Sequence, residues 1–344
     1  MKYKQAKQVS GVRRRGRVRI EVVAELAGVS AMTVSRVLSS PEKVSEKTRE
    51  KVWQVINETG YVPNYSAKNL ASNTSRIVAV VVPTLQNSIF ADMVEGLASE
   101  LELHGYQLLL GNSDYSAERE FTLVKEFISK QPVGIVLTGF THLKETIDLI
   151  HHSDITVTET WNSLPPNFGK RVGFSNYDAC YQMVKHLVGR NYQKIGFVSA
   201  PVHGNDRARA RRQGFIDAMS DSGLGVEASW LKESDFSFSN GAALLQAFWR
   251  EENRPEVIFF ANDVLAAGAV FECQRMGLSI PADIGIVGFD DLDIASQCSP
   301  QLTTVRVPTF QIGRIAARQL LGMKDMEDDI VDLSFDIVQR QSSR

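Results

Sequence analysis

A chain of 344 residues, 43% apolar and 23% charged, has the length of two or three domains and the composition of a water-facing globular protein. Apolar runs such as Val78-Ala79-Val80-Val81-Val82 fall far short of the roughly 20 residues a membrane-crossing helix needs, so no membrane partner is expected. The net charge of −2 conceals an asymmetry: residues 1–76 carry a balance of +9 and the remainder −11. A basic head on an acidic body is the electrostatic footprint of a nucleic-acid-binding module fused to something else. The three cysteines, Cys180, Cys273 and Cys298, have neither disulfide-framework nor zinc spacing and fit a reducing compartment. No apolar segment of signal-peptide type follows the N-terminal lysines and arginines, which points to a cytoplasmic protein.

Residues 1–17 read as a basic, disordered tail. Val18-Arg19-Ile20 then leads into Val22, Val23, Leu26 and Val29, spaced for one face of a helix. Gly28 breaks that helix, because glycine readily takes the positive φ of a tight helix-to-helix turn. Ser30 can cap the next helix, Ala31 to Leu38, which buries Val34, Val37 and Leu38. Pro41 ends it. Ser45 can cap a third helix with the stripe Val52, Val55 and Ile56, stopped by Gly60. Two short helices joined by a glycine turn, with a third behind, form a helix-turn-helix domain, here residues 18–64.

The residues make this more specific. Val22-Val23-Ala24-Glu25-Leu26-Ala27-Gly28-Val29-Ser30-Ala31-Met32-Thr33-Val34-Ser35-Arg36-Val37-Leu38 closely resembles the DNA-binding head of the LacI/GalR family of bacterial repressors. Tyr61-Val62-Pro63-Asn64 and Ala67-x-x-Leu70 resemble that family's third-helix exit and hinge, so residues 65–76 are read as a hinge helix and linker.

Beyond the head, apolar strands alternate with helices. The first series has strands at Arg76–Pro83, Tyr106–Leu110, Gly134–Thr138 and Ile155–Thr160, with helices between them, the first stopped by Gly105. A second series is expected after the polar stretch Leu164-Pro165-Pro166, with strands at Lys194–Ser199, Trp230–Ser234, Val257–Ala261 and Gly285–Gly288. Two runs of βαβ units imply an α/β fold of two lobes, each a doubly wound parallel sheet, with ligand chemistry at the carboxyl ends of the strands. A cleft between the lobes is the natural place for a small molecule.

The same resemblance implies a core, residues 77–340, like a periplasmic sugar-binding protein. Its matching pieces are Val172-Gly173-Phe174-Ser175-Asn176-Tyr177-Asp178-Ala179, Lys194-Ile195-Gly196-Phe197-Val198, Ala261-Asn262-Asp263-Val264-Leu265-Ala266-Ala267-Gly268 and Val287-Gly288-Phe289-Asp290-Asp291. Phe271-Glu272-Cys273-Gln274-Arg275-Met276-Gly277-Leu278 and His104-Gly105-Tyr106-Gln107 resemble the gluconate-utilisation branch in particular.

No phosphate-binding P-loop, dinucleotide fingerprint or nucleophile elbow occurs, so neither cofactor nor catalysis is expected. His151-His152 lacks a partner at metal spacing and reads as a helix end.

The DNA-facing candidates are Ala31, Met32, Thr33, Ser35 and Arg36, because the first turn of a recognition helix meets base edges. Arg36 can fork onto a guanine or a phosphate, and Thr33 can contact a thymine methyl. Met32 has a core residue as its alternative. Asn64 and Tyr65 are candidates for phosphates. The resemblance implies that Leu70, in Ala67-Lys68-Asn69-Leu70, wedges into the minor groove; its alternative is a plain linker residue.

Effector candidates come from the resemblance as well. Arg211, within Arg207-Ala208-Arg209-Ala210-Arg211-Arg212-Gln213-Gly214, matches the family's cleft arginine, and a guanidinium is the natural partner of a sugar acid's carboxylate. Arg209 and Arg212 read as solvated, and Arg207 is a further candidate. Asn262 and Asp290 match positions that bond sugar hydroxyls, and Phe236 matches an aromatic that stacks on the ring. Glu159 and Asn162 end a strand of the first lobe. At Asn162 the sequence departs from the carboxylate the branch usually carries near that position.

The resulting expectation is a cytoplasmic, homodimeric transcriptional repressor that binds a palindromic operator and answers to gluconate or a ketogluconate. Its rivals are a relative answering to a neutral sugar or sugar phosphate, a sugar-binding transport protein and a sugar-modifying enzyme. The transport protein conflicts with the basic head, and the enzyme lacks any catalytic constellation.

Overall fold

The computed structural model describes residues 18–62, 75–324, 326 and 328–344. The chain divides into two compact units at Thr74/Ser75. The tail of residues 1–17 and the candidates Asn64, Tyr65, Ala67 and Leu70 lie outside the described residues.

The first unit contains α1 (Ile20–Ala27), α2 (Ala31–Ser39) and α3 (Glu46–Thr59). Gly28 takes φ +61° and hands the chain from α1 toward α2, as a left-handed glycine can without steric cost. The Ser30 hydroxyl accepts the Thr33 N–H and so caps α2. Gly60, at φ +63°, closes α3. Ser45 stands at the N-cap of α3 but spends its hydroxyl on Thr48 Oγ1, not on a backbone N–H.

The three helices share a core of Val23, Ala24, Ala27, Val34, Val37, Val52, Val55 and Ile56. The inward face of α1 therefore differs from the expected one. Val23 and Ala27, four apart, point in with Ala24, whereas Val22 and Leu26 lie a helical step away and are exposed.

The second unit opens with β1 (Ile77–Val82), α4 (Ser88–Leu103), β2 (Gln107–Asn112), α5 (Ala117–Ile128), β3 (Gly134–Thr138), α6 (Lys144–Ser153) and β4 (Thr156–Thr160). The apolar run of β1 is covered on both faces. Val78, Val80 and Val82 pack with Met93 and Leu97 of α4, while Ala79 and Val81 pack with Val124 and Phe127 of α5. That double burial is why the strand is apolar throughout rather than alternating.

β5 (Lys170–Gly173) follows the proline stretch and pairs with β4 in parallel, Thr158 opposite Lys170. The second series starts where expected, at residues 195–199, but residues 170–173 form an unexpected further strand of the first sheet before the chain crosses over.

The second lobe holds α7 (Asn176–Gly189), β6 (Ile195–Ser199), α8 (Asp206–Asp221), β7 (Leu231–Glu233), α9 (Phe238–Trp249), β8 (Val257–Phe260), α10 (Asp263–Met276), β9 (Gly285–Val287) and α11 (Asp293–Gln297). The chain then crosses back through β10 (Thr304–Arg306) to α12 (Thr309–Leu320), which packs on α4 of the first lobe. After β11 (Ile330–Asp332) it returns through β12 (Asp336–Val338).

The first-lobe sheet runs β11-β5-β4-β3-β1-β2, all parallel, and the second-lobe sheet runs β7-β6-β8-β9, also parallel. The returning strands β10 and β12 pair antiparallel. Three connections therefore join the lobes, and the carboxyl ends of both sheets line the gap between them.

Candidate functional site

Two surfaces carry the candidate chemistry, one in each unit. On the head, α2 buries Val34 and Val37 and presents Met32, Ser35 and Arg36 to solvent, with Ala31 and Thr33 half-buried. Met32 is 70% exposed, which removes the core alternative for it. Thr33 shares a hydrogen bond with the capping Ser30 hydroxyl, 2.9 Å away, and this fixes its rotamer at the start of the helix. A helix start that presents Met32, Ser35 and Arg36 to solvent, beside the half-buried Ala31 and Thr33, suits a groove reader.

In the second unit, loops following the strands surround a cleft. Thr84, Gln86 and Asn87 follow β1, and Asp114 and Tyr115 follow β2. From the other lobe come Ala200, His203 and Asn205 after β6, and Asp235 and Phe236 after β7. The outer cavity has a volume of about 430 Å³, which suits a small metabolite. It leads to a narrow inner recess lined by Arg207, Arg211, Ala261 and Asp290.

Arg211 is rigidly held at the floor of that recess. Its Nε donates to Asn176 Oδ1 and its Nη1 to the Ala261 carbonyl, each at 2.8 Å, and its guanidinium lies 3.7 Å from the centre of the Phe289 ring. Burial depresses its pKa, with Asp290 pulling in the opposite direction. The nearest approach to Asp290 is 4.0 Å, from Nη2 to Oδ1.

Asp290 is 4% exposed and stands at φ +110°, a conformation uncommon for a residue with a Cβ. Its Oδ2 accepts the Asn262 amide at 2.6 Å, while Oδ1 has no hydrogen-bond partner among the described residues. Burial pushes this carboxyl up to about 7, against the lowering effect of Arg211 and of the Asn262 bond. A buried polar atom left open in this way is primed for a ligand donor.

The cleft brings together four of the seven effector candidates: Arg207, Arg211, Phe236 and Asp290. The other three stand behind it. Asn262 caps α10 by accepting the Val264 N–H and steers Asp290, so it touches the recess only through that carboxylate. Glu159 is fully buried; its oxygens accept the Asn167 N–H and side-chain amide, and Oε1 lies 3.3 Å from His142 Nε2. Asn162, 1% exposed, donates to Asp206 Oδ2 at 2.8 Å. Both side chains are consumed by protein partners and line neither cavity.

Arg209, read as solvated, is exposed and donates to Thr141 Oγ1 of the first lobe and to the Val202 carbonyl. Arg212 pairs with Glu233 at 2.8 Å, away from the recess.

Asn87 and Tyr115 are among the lining residues the sequence reading did not name. Asn87 caps α4 through Oδ1 and leaves its buried Nδ2 without a partner among the described residues. Its position just after the first strand, ahead of a helix, was the available signal. Tyr115 sits at φ +56° and had no such signal.

Among the described residues no cluster of side chains could hold a metal ion, and no single helix is long and apolar enough to cross a membrane.

Residues 19–64 match the family of bacterial regulatory proteins, lacI family, and residues 184–343 match a periplasmic binding protein-like domain. The HTH-type transcriptional regulator GntR of Escherichia coli K12 is 35% identical over 319 residues, covering 92% of this chain and 96% of that protein. A GntR of Pseudomonas aeruginosa is 33% identical over 343 residues, covering 98% and 99%. The repressor CytR of Escherichia coli K12 is 31% identical and covers 87% of each chain.

Among solved structures, a LacI-family transcriptional regulator from Silicibacter pomeroyi superposes with a TM-score of 0.87 at 29% identity, covering 94% of this chain and 99% of its own. The lac repressor dimer bound to operator and the anti-inducer ONPF gives 0.82 at 26% identity, covering 95% and 99%. With a helix-turn-helix head, a cleft between two parallel-sheet lobes and relatives matched along nearly their whole length, this chain belongs to the lacI family of bacterial transcriptional regulators.

Proposed function

We propose that this regulator is a dimeric repressor of sugar-acid catabolism, binding a palindromic operator through α2 and a gluconate-type acid in the cleft. The observation that carries the ligand class is the recess itself. Two arginines, Arg207 and Arg211, stand beside an open carboxyl oxygen of Asp290 and an open amide of Asn87. A polyhydroxy acid offers what those groups lack: a carboxylate for a guanidinium, a hydroxyl donor for Asp290 Oδ1 and an acceptor for Asn87 Nδ2. The similarity to proteins named GntR supports the same class. The chain is similar as well to CytR and to catabolite control protein A of Priestia megaterium, whose names point to no sugar acid.

The dimer follows from the two half-sites of a palindrome and from the lac repressor precedent. The regulated coupling would be a difference in operator affinity between effector-bound and free protein.

The test of the ligand class is calorimetric titration of wild type and Arg211→Ala with gluconate and with glucose. Removing one partner of a buried, charge-assisted contact typically costs about 2–5 kcal/mol, so gluconate affinity should fall about a hundredfold. Arg212→Ala, whose side chain pairs with Glu233 outside the recess, should bind gluconate like wild type. An Arg211→Ala variant that keeps the full preference for gluconate over glucose would remove the carboxylate from Arg211.

A further inference from the structure

The first turn of α8 meets the first lobe at several points. Asp206 begins that helix and is 3% exposed. One carboxylate oxygen, Oδ2, accepts the Asn162 amide from the first lobe at 2.8 Å, and the other, Oδ1, accepts Arg207 Nη1 at 3.1 Å. The Arg207 guanidinium in turn lies against Gly139 of the first lobe, so closely that a β-carbon there would come within 2.2 Å of Nη1. Two residues further along α8, Arg209 reaches Thr141.

Asn162, Gly139 and Thr141 all follow strands of the first lobe, whereas Asp206, Arg207 and Arg209 belong to the second. A carboxylate at position 162 would face Asp206 across a buried hydrogen bond and repel it. An amide there donates instead.

We infer that Asn162 and Asp206 are positioning residues which deliver Arg207 into the recess only when the two lobes stand in the arrangement seen here. Arg207 is then a cation shared by both lobes, and a ligand that engages it favours this arrangement over any in which the lobes have parted. The inference rests on the reading of the cleft as an effector site. It makes Asn162 the donor of an inter-lobe bond.

The test is a charge-swap cycle. Asn162→Asp sets two carboxylates against each other; the double variant Asn162→Asp with Asp206→Asn restores one donor and one acceptor with their places exchanged. Lobe separation is read in the ligand-free, full-length protein from the distance between spin labels placed on α5 and α9, and ligand affinity by calorimetry with gluconate.

The expected result is a longer or broader distance distribution for Asn162→Asp, about a tenfold loss of gluconate affinity, and recovery of both in the double variant. Asn162→Ala, which deletes the bond without adding charge, should shift both in the same direction by less, and it serves if Asn162→Asp does not fold. A wild-type distance distribution in both single variants at position 162, or a double variant no closer to wild type than Asn162→Asp, would overturn the inference. Because the distances are measured without ligand, failure of gluconate to bind wild type would count against the proposed effector and leave the inter-lobe result standing.

Discussion

Arg36 is exposed on α2 one residue before the buried Val37, free to fork onto a base or a phosphate. Loss of a bidentate base contact removes about 1–3 kcal/mol of discrimination. Arg36→Ala should therefore lower affinity for the operator more than for random DNA, as measured by competition titration; equal losses on both would make Arg36 a phosphate contact. His142 is a different case, because its ring is buried between Glu120 Oε1 at 2.7 Å from Nδ1 and Glu159 Oε1 at 3.3 Å from Nε2. Burial alone would lower its pKa, but the bonds and charges of the two glutamates outweigh that and hold it up to about 9. A histidine whose folded-state pKa is raised stabilises fully below its ordinary value near 6.5 and loses that contribution as pH rises through about 9. Thermal or denaturant stability of the second unit should thus fall by up to about 3 kcal/mol between pH 6.5 and 9.5, and His142→Gln should flatten the decline. A parallel decline in the variant would place the titrating group elsewhere.

At the level of helices and strands, the packing depends on places where backbones nearly touch. Gly214 of α8 faces the Tyr177 carbonyl of α7, and a β-carbon built there would lie 2.2 Å from that oxygen. Gly214→Ala must push the two helices apart, and overpacking of this kind typically costs about 1–3 kcal/mol. The expected readout is a lower unfolding midpoint, while Gly189→Ala, with open space around its β-carbon, should leave the midpoint near wild type. The elements with strong apolar signals were legible in the sequence. β3 at Gly134–Thr138 has the expected bounds, and the run of β1 announced a strand covered on both faces. The crossover elements were not legible. β10, β11 and β12 are three residues each and mostly half-exposed or polar, too short for alternation to register. α12 has a regular stripe in Ile312, Ala316 and Leu320, but its first-lobe position depends on Gly313 meeting the Met93 carbonyl of α4, a contact more than 200 residues away in the chain. The same limit applied to the site. Arg211 and Asp290 were named through the family resemblance, not from residue type or spacing, whereas Glu159 and Asn162 look like ligand contacts until His142, Asn167 and Asp206 occupy them.

For the molecule as a whole, the proposed regulation couples a DNA-reading head to a cleft whose occupancy would bias the arrangement of two lobes. The cleft's arginines are held by Asn176, Ala261 and Asp206, and one oxygen of Asp290 by Asn262, in hydrogen bonds suited to recognition. What the design requires is that binding energy at Arg207, Arg211 and Asp290 appear as a change in operator affinity. The measurement that tests this most directly is fluorescence-anisotropy titration of the full-length protein onto a palindromic operator, with and without saturating gluconate, at fixed salt. The proposed coupling predicts that gluconate moves the operator Kd by about fivefold or more and that Arg211→Ala abolishes the movement while retaining operator binding. Superimposable wild-type titrations with and without gluconate would contradict it.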